Sequence, residues 1–364
     1  MKSALVLSGG GANGAYEVGV LKGLATGRSK AFGGSPLGAI HAVAATSIGA
    51  FNAGVLLSNF EGDWNRAVAA LESAWLDRIA PENAGIGNGV FRYRPNFPEW
   101  LNPLKVAAHP VEPAKELVGD AAFLVKDWAA RLRGFAQSSD GLVHRFAELI
   151  DLSSFIQAEP SDALVDATVS PAKVRASSIE VRVTATEWRS GTLRVFENKD
   201  FTDTNGRLIV RASGAIPGIF PSVDIGGAPY VDGGVVMNTP LSPAIHTAAD
   251  TLHVIYLDPA PGAIPLRAPS STIDAMGRMF VASFAATMRR DLEVAAGINR
   301  DVEKGTDRKR RPLTIHLYHP LEDTGGALGM LDFHRPHVSR LIDLGYKNAL
   351  AHDCRQSGCI IPHE

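Results

Sequence analysis

Residues 4–14 decide the fold, and they read Ala-Leu-Val-Leu-Ser-Gly-Gly-Gly-Ala-Asn-Gly. The first four residues form an apolar run that leads into glycines, which predicts a buried strand followed by a tight turn. The largely apolar residues 15–25 then predict a helix that ends at Gly27. Consecutive glycines ahead of a helix let backbone N–H groups approach an anion, which the helix dipole also attracts. The loop therefore predicts a site for a phosphate or an oxyanion, with a purely structural turn as the alternative.

A second turn follows one apolar run later, at residues 45–49, Ala-Thr-Ser-Ile-Gly. This sequence matches the G-x-S-x-G elbow, with Ala45 in place of the first glycine and Gly49 as the second. Such an elbow places the serine, here Ser47, on a sharp turn at the carboxyl end of a strand. The N–H of Ile48 then points the same way as the helix dipole. A serine that only caps the following helix is the alternative interpretation.

Two strand–turn–helix units in succession predict an α/β fold, with parallel strands joined by crossover helices. The glycine loop and Ser47 are then expected at the same edge of the sheet, on strands about 5 Å apart. Further strands are predicted at residues 179–187, 192–196, 252–257 and 313–317, and further helices at residues 273–298 and 338–351.

The segment at residues 81–150 differs in composition from its surroundings. It begins with several prolines, continues with helix-like stretches and carries large aromatic residues. These include Phe97, Trp100, Phe123 and Trp128. The segment is predicted to be an inserted helical lid, and additional core packing is the alternative.

A third motif, Tyr230-Val231-Asp232-Gly233-Gly234, is a short apolar run that ends in Asp-Gly-Gly. Asp-Gly is a strong hairpin signal, so a structural turn is one interpretation of it. Just upstream, residues 212–221 read Ala-Ser-Gly-Ala-Ile-Pro-Gly-Ile-Phe-Pro.

These four motifs resemble those of the patatin-like phospholipases, in the same order and with similar spacing. The resemblance implies a three-layer sandwich with a mainly parallel central sheet, flanked by helices and carrying a helical lid. It also implies a lipid acyl hydrolase of the phospholipase A or lysophospholipase type. We expect a catalytic domain at residues 4–258, with the lid at 81–150, and a C-terminal helical extension at 259–364 packed on the same core.

The resemblance also assigns roles to residues. Ser47 corresponds to the nucleophile and Asp232 to the general base of a dyad that needs no histidine. Backbone N–H groups of the loop would form the oxyanion hole, which we assign to Gly9, Gly10 and Gly11. The motif positions around them are Gly14, Ala45, Ile48, Gly49, Gly233 and Gly234. Asn13 departs from the family, which usually has Arg or Lys there, and this argues against strong phosphate binding at the loop.

The chemistry expected of the dyad depends on the environment of Asp232. A carboxyl group with its ordinary pKa of about 3.9 is a poor base, but burial raises the pKa and improves the base. The expected path is attack by Ser47 on an ester carbonyl, an acyl-enzyme and then hydrolysis. Phospholipids, lysophospholipids, neutral glycerides and thioesters all present a suitable carbonyl, and transfer of the acyl group to an alcohol is also open.

Three alternatives remain at this stage. A Ser-His-Asp hydrolase would use His246 or His253, which follow Asp232 in the chain order of the α/β-hydrolases. A nucleotide-binding module would use the G-x-G-x-x-G match, but no acidic residue occurs between Glu17 and Glu61 to hold a ribose. A membrane-interaction protein that has lost activity is the third alternative.

Composition bounds the function further. The chain has 364 residues, 45% of them hydrophobic, and a net charge of −2, so we expect a globular protein without a nucleic-acid partner. Its two cysteines are too few for a disulfide framework, its eleven histidines show no evident metal-ligand spacing, and we expect neither metal nor cofactor. Without a signal-peptide core or a bilayer span, a cytoplasmic location is expected. The basic run at residues 308–311 predicts a peripheral membrane contact, with a solvated loop as the alternative.

Overall fold

A computed structural model describes residues 2–29, 37, 40–82, 88–93, 156–258, 272–308 and 310–362. The strands are β1 (Ser3–Leu7), β2 (Ile40–Thr46), β3 (Arg92–Tyr93), β4 (Ile156–Gln157), β5 (Glu180–Glu187), β6 (Thr192–Glu197), β7 (Val223–Ile225), β8 (Ala228–Asp232), β9 (Thr251–Ile255) and β10 (Thr314–Tyr318). The helices are α1 (Gly14–Ala25), α2 (Ile48–Asn59), α3 (Trp64–Ser73), α4 (Glu159–Thr168), α5 (Pro171–Ala176), α6 (Gly206–Ser213), α7 (Leu241–Ile245), α8 (Thr272–Glu303), α9 (Gly326–Gly329), α10 (Arg335–Leu350) and α11 (Cys354–Ser357).

The central sheet has the strand order β10-β9-β1-β2-β5-β8-β7, and β6 pairs with β5 outside this path. The five strands from β10 to β5 are parallel, whereas β6, β7 and β8 pair in antiparallel fashion. The predicted α/β fold with a mainly parallel sheet flanked by helices is therefore confirmed. Because β1 and β2 are neighbours, the turns that follow them emerge at the same edge of the sheet.

Burial explains why these segments form the centre. Residues Ala4–Leu7 of β1 have no exposed surface, as expected of a parallel strand that is covered on both faces. Helix α2 is buried along nearly its whole length, from Gly49 to Ser58. Helices α1 and α10 approach closely because Gly19 of α1 lies against the backbone of Ile342.

The predicted strand at residues 313–317 is β10, and it forms the edge of the central sheet. The C-terminal region thus adds a strand as well as helices to the core, while the domain boundary after residue 258 stays a prediction. The predicted lid at residues 81–150 lies largely outside the described residues, and so do the four aromatic residues named for it above. Within the described residues, no helix has both the length and the apolar character that crossing a bilayer requires.

Candidate active site

Ser47 lies on a strained turn between β2 and α2. Its φ of 56° is in the left-handed region, which residues with a side chain rarely adopt. The turn can be this tight because Gly49 has no side chain: a Cβ there would lie 2.5 Å from the carbonyl oxygen of Leu7. Strain of this kind costs about 1–3 kcal/mol and is concentrated at functional sites. The elbow geometry predicted from residues 45–49 is therefore present.

The Ser47 hydroxyl faces the carboxyl group at the end of β8. Its Oγ donates a hydrogen bond to Oδ2 of Asp232 over 2.6 Å. Both residues are almost completely buried, with 6% of Ser47 and 5% of Asp232 exposed. Hydrogen bonds from a hydroxyl to a carboxylate are short and strong in such surroundings. The geometry suits transfer of the serine proton to the carboxylate.

Three hydrogen bonds fix the position of Asp232. Its N–H donates to the carbonyl of Ala215 over 2.9 Å, and its own carbonyl accepts from Oγ1 of Thr186 over 3.0 Å. The second carboxylate oxygen, Oδ1, accepts from the N–H of Gly234 over 2.7 Å. Both carboxylate oxygens therefore have a donor, and one of the two donors is the Ser47 hydroxyl.

Burial dominates the acidity of this carboxyl group. It raises the pKa of Asp232 to about 7, although the hydrogen bonds from Ser47 and Gly234 act in the opposite direction. An ionised carboxylate in an apolar site is a stronger base than one in water. A pKa near neutrality is suited to general-base work at neutral pH.

The glycine loop lies beside Ser47, but its three glycines are not equivalent. The N–H of Gly9 donates to the carbonyl of Asn238 over 2.9 Å, and Nδ2 of Asn238 donates to the carbonyl of Gly9 over 3.1 Å. Because its donor is occupied, Gly9 is not placed to hold an oxyanion, and we correct its assignment to a structural role. The N–H groups of Gly10 and Gly11 have no hydrogen-bond partner among the described residues.

The loop is supported from its other side by residues close to α9. The N–H of Ala12 donates to the carbonyl of Met330 over 2.8 Å. Gly11 has a φ of 56°, and a Cβ on it would collide with this same carbonyl. Only glycine is therefore accommodated at position 11 without moving the loop.

Two cavities meet at Ser47. The larger, of about 310 Å³, has a largely apolar lining that includes Phe51, Leu164 and Phe333. The smaller, of about 170 Å³, lies beside α8 and is lined by residues that include Asp232, Gly10 and Phe284. Both cavities include Ser47, Gly11, Ile216, Met330 and Leu331 in their walls. Apolar space thus extends from the hydroxyl in two directions.

Comparison with known proteins decides the family. The family model described as patatin-like phospholipase matches residues 5–245. The chain belongs to the patatin-like phospholipase family.

Other comparisons add less. No curated protein matches the chain. Among solved structures, the chain is similar to VipD from Legionella pneumophila, with 15% sequence identity and a TM-score of 0.40. The match covers 96% of this chain and 66% of the VipD chain, so the chain spans just under two thirds of that protein's length.

The histidines of the alternative triad lie elsewhere in this patatin-like fold. The ring Nδ1 of His246 is 2.7 Å from the carbonyl of Ser242, at the C-terminal end of helix α7. His253 is in β9, and its ring stacks on that of His316 with 5.1 Å between centroids. Within the described residues, the hydrogen bonds to the Asp232 carboxylate come from Ser47 and Gly234 and not from a histidine.

The remaining motif residues have structural places around the pair. Gly14 packs against the side chain of Ile48, Ala45 is buried in β2, and Gly233 lies against Thr184. Asn13, where the family usually has a basic residue, is buried, and its amide donates to Oγ1 of Thr324 over 3.3 Å.

Two supporting residues were not predicted from the sequence. Ser213 accepts from the N–H of Ser47 over 2.8 Å and donates to the carbonyl of Thr184 over 2.7 Å, which ties the elbow to β5. Ser213 lies in the 212–221 motif, so the sequence analysis included this residue but assigned it no role. Met330, which supports the glycine loop, lies in no motif that the sequence analysis used.

Proposed function

We propose that the chain is a lipid acyl hydrolase of the phospholipase A or lysophospholipase type that cleaves fatty-acyl esters with a Ser47–Asp232 dyad. The observation that carries this proposal is the 2.6 Å hydrogen bond from the Ser47 hydroxyl to Asp232, made on a strained elbow. Family membership supports the substrate class. A serine hydroxyl becomes an effective nucleophile when a positioned base accepts its proton.

In the first half-reaction, Ser47 Oγ attacks the ester carbonyl while its proton passes to Oδ2 of Asp232. The oxyanion that forms is held by the N–H groups of Gly10 and Gly11, which are free of other partners among the described residues. The intermediate then collapses, and the leaving alcohol takes the proton back from Asp232. An acyl group remains on Ser47.

In the second half-reaction, a water molecule gives its proton to Asp232 and attacks the acyl-serine. The same two N–H groups hold the second oxyanion. Collapse releases the fatty acid, and Asp232 returns its proton to Ser47 Oγ. One carboxylate therefore acts alternately as base and acid, for which a pKa of about 7 is well suited.

The cavities support an acyl chain as the recognised part of the substrate. The cavity of about 310 Å³ begins at Ser47 and has the apolar lining that such a chain requires. Asn13 gives the loop no positive charge with which to bind a head-group phosphate. We therefore expect acyl-chain fit to contribute more to selectivity than head-group charge.

A substrate panel tests this function. The purified full chain should release fatty acid from phosphatidylcholine, lysophosphatidylcholine or a neutral glyceride, and should also hydrolyse a short soluble ester. The matched control is Ser47→Ala, which should release none above background. A folded wild-type chain that releases no acyl group from any of these esters would disprove the proposal.

Peripheral membrane contact and a cytoplasmic location are parts of the same proposal. Arg308, Arg310 and Arg311 are exposed, and Arg310 also has Asp307 at 3.6 Å. Each such charge contributes about 1 kcal/mol of attraction near an anionic surface. Replacing all of residues 308–311 by serine should lower binding to anionic vesicles and leave hydrolysis of a soluble ester unchanged. Equal vesicle binding by both proteins would contradict the membrane contact.

The pH dependence follows from the raised pKa of Asp232. Only the ionised carboxylate can accept the serine proton, so kcat/KM should rise with pH through a midpoint near the pKa of about 7 and then level off. The measurement is a pH–rate profile on an ester whose leaving group does not titrate in this range. A profile that is flat between about pH 5 and about pH 9, or that has its midpoint at the ordinary carboxyl value of about 4, would contradict the assignment.

A further inference from the structure

Four potential metal ligands converge at the edge of the sheet, on the β10 side and away from Ser47. His316 lies in the middle of β10, whereas the other three follow helix α10. Together they form what we call the C-terminal cluster: His316, His352, Cys354 and Cys359. One nitrogen or sulfur atom from each residue lies within 4.8 Å of all the others.

Three N···S distances within the cluster are close to those of a tetrahedral site. Sγ of Cys354 is 3.4 Å from Nδ1 of His316 and 3.5 Å from Nε2 of His352. Sγ of Cys359 is also 3.5 Å from Nε2 of His352. With zinc bonds of about 2.3 Å to sulfur and about 2.05 Å to nitrogen, a tetrahedron has N···S edges of about 3.6 Å. A small inward movement would bring all four atoms to bonding distance of one central ion.

We propose that the C-terminal cluster binds one Zn²⁺ ion as a structural site. Two thiolates and two imidazoles are among the ligand sets that tetrahedral zinc uses in proteins, and they are unsuited to calcium or magnesium, which prefer oxygen. Four protein ligands leave no open position for water or substrate, so the ion would stabilise the fold and take no part in ester hydrolysis.

The surroundings of the cluster resemble the outer shell of a metal site. The N–H of Leu317 donates to Sγ of Cys359 over 3.2 Å, a contact that would stabilise a thiolate and orient it. Aromatic contacts hold the rings in place: His316 stacks on His253, and His352 packs at a tilt against Tyr318 with 4.4 Å between centroids.

The ion would fasten the end of the described chain to the sheet. Ile360 already pairs with Ile315 of β10 through backbone hydrogen bonds of 2.8 and 2.9 Å. The cluster would add a second attachment at the same edge, immediately beyond α10. Because α10 packs closely on α1, whose N-terminus follows the glycine loop, loss of the ion should destabilise the fold as a whole.

A disulfide between Cys354 and Cys359 is the competing use of these thiols. Both cysteines are free in the structure, and their sulfur atoms face imidazole nitrogens. A disulfide would remove both thiolates from the cluster and exclude zinc. The two states are distinguished by mass, because the disulfide form is lighter by two hydrogen atoms.

Metal analysis of the purified full chain, prepared without a histidine tag, tests the proposal. We expect about one zinc per chain in the wild type and in the control His246→Ala, and less than about 0.2 in Cys354→Ser. Cys354 is partly exposed, so its replacement by serine is compatible with folding. A chelator should lower the unfolding temperature of the wild type and leave that of Cys354→Ser unchanged.

A second measurement needs no variant. Cobalt added to the metal-free wild type should give the visible absorption of a tetrahedral site with thiolate ligands, and zinc should displace it. Reduced wild-type protein that takes up neither zinc nor cobalt, or a Cys354–Cys359 disulfide in the freshly purified chain, would overturn the proposal. Ester hydrolysis by the wild type and by Cys354→Ser is measured separately, at a temperature where both are folded. Failure of the zinc proposal is therefore distinguishable from failure of the proposed function.

Discussion

Replacing Ser47 by alanine should lower kcat/KM for ester hydrolysis by about 10⁴-fold or more, the size of effect seen when a catalytic nucleophile is removed. The variant loses the attacking oxygen and with it the acyl-enzyme. It should still fold, because the hydroxyl that is removed makes its hydrogen bond to Asp232 and does not support the sheet. Alanine also has a Cβ, so the strain of the φ of 56° stays the same and the free energy of unfolding should change little.

Asp232→Asn should cause a loss of similar order, about 10³–10⁴-fold, by a different route. Asparagine has the same shape, and its oxygen can still accept from the N–H of Gly234. Its amide cannot accept a proton from Ser47, however, so the hydroxyl is no longer activated. Circular dichroism and thermal unfolding should show that the fold is kept.

Histidine variants provide the control for both changes. His246→Ala and His253→Gln should retain activity within about threefold of wild type, since neither side chain is a hydrogen-bond partner of the Asp232 carboxylate. Activity is compared per mole of folded protein, because His253 is buried and its replacement is expected to cost stability. A histidine variant that loses as much activity as Asp232→Asn would favour the Ser-His-Asp mechanism over the dyad.

Gly11→Ala tests the oxyanion hole and should also have a large effect. Its new Cβ would collide with the carbonyl of Met330, and the positive φ disfavours any side chain. The loop must therefore move, and the two N–H groups lose their alignment with the oxyanion. We expect kcat to fall by about 10²–10³-fold, the usual cost of one lost oxyanion donor. KM should change little, because the contact forms mainly in the transition state.

Gly62 offers a matched control for this experiment. It also has a positive φ, of 86°, but apart from its two chain neighbours no described residue has an atom within 4 Å of where its Cβ would stand. Gly62→Ala should reproduce the backbone strain without moving the glycine loop, so kcat should remain close to that of the wild type. If Gly11→Ala changed only KM, the loop would have to be assigned to substrate binding instead.

The sequence predicted the elements around the site well because their signals are local. The runs that became β1, α1 and β2 are each encoded within a few residues of the glycine loop or the elbow. The pairing of Ser47 with Asp232 is different: 185 positions separate them, and their partnership was predicted only from resemblance to the patatin-like family. Local patterns alone predicted only a hairpin turn at Asp232.

Long-range contacts explain what the sequence did not predict. Gly9 was assigned to the oxyanion hole because it belongs to the glycine run, but its N–H is taken by Asn238, which also donates to it from 229 positions away. The C-terminal cluster has no motif because His316 lies 38 positions before Cys354, and the two segments meet only in the fold, where Ile315 pairs with Ile360 and Leu317 donates to Cys359. The expectation that no metal is bound rested on the spacing of ligand residues along the sequence. That spacing does not show which distant residues meet in the folded chain.

The central claim is that Ser47 is a nucleophile activated by Asp232, and site-resolved labelling with a fluorophosphonate tests it most directly. Intact mass and peptide mapping should show one adduct per wild-type chain, on the peptide that contains Ser47, and none on Ser47→Ala. Asp232→Asn should be labelled at the same serine at least about 10²-fold more slowly. An adduct on another residue, or equally fast labelling of Asp232→Asn, would contradict the account.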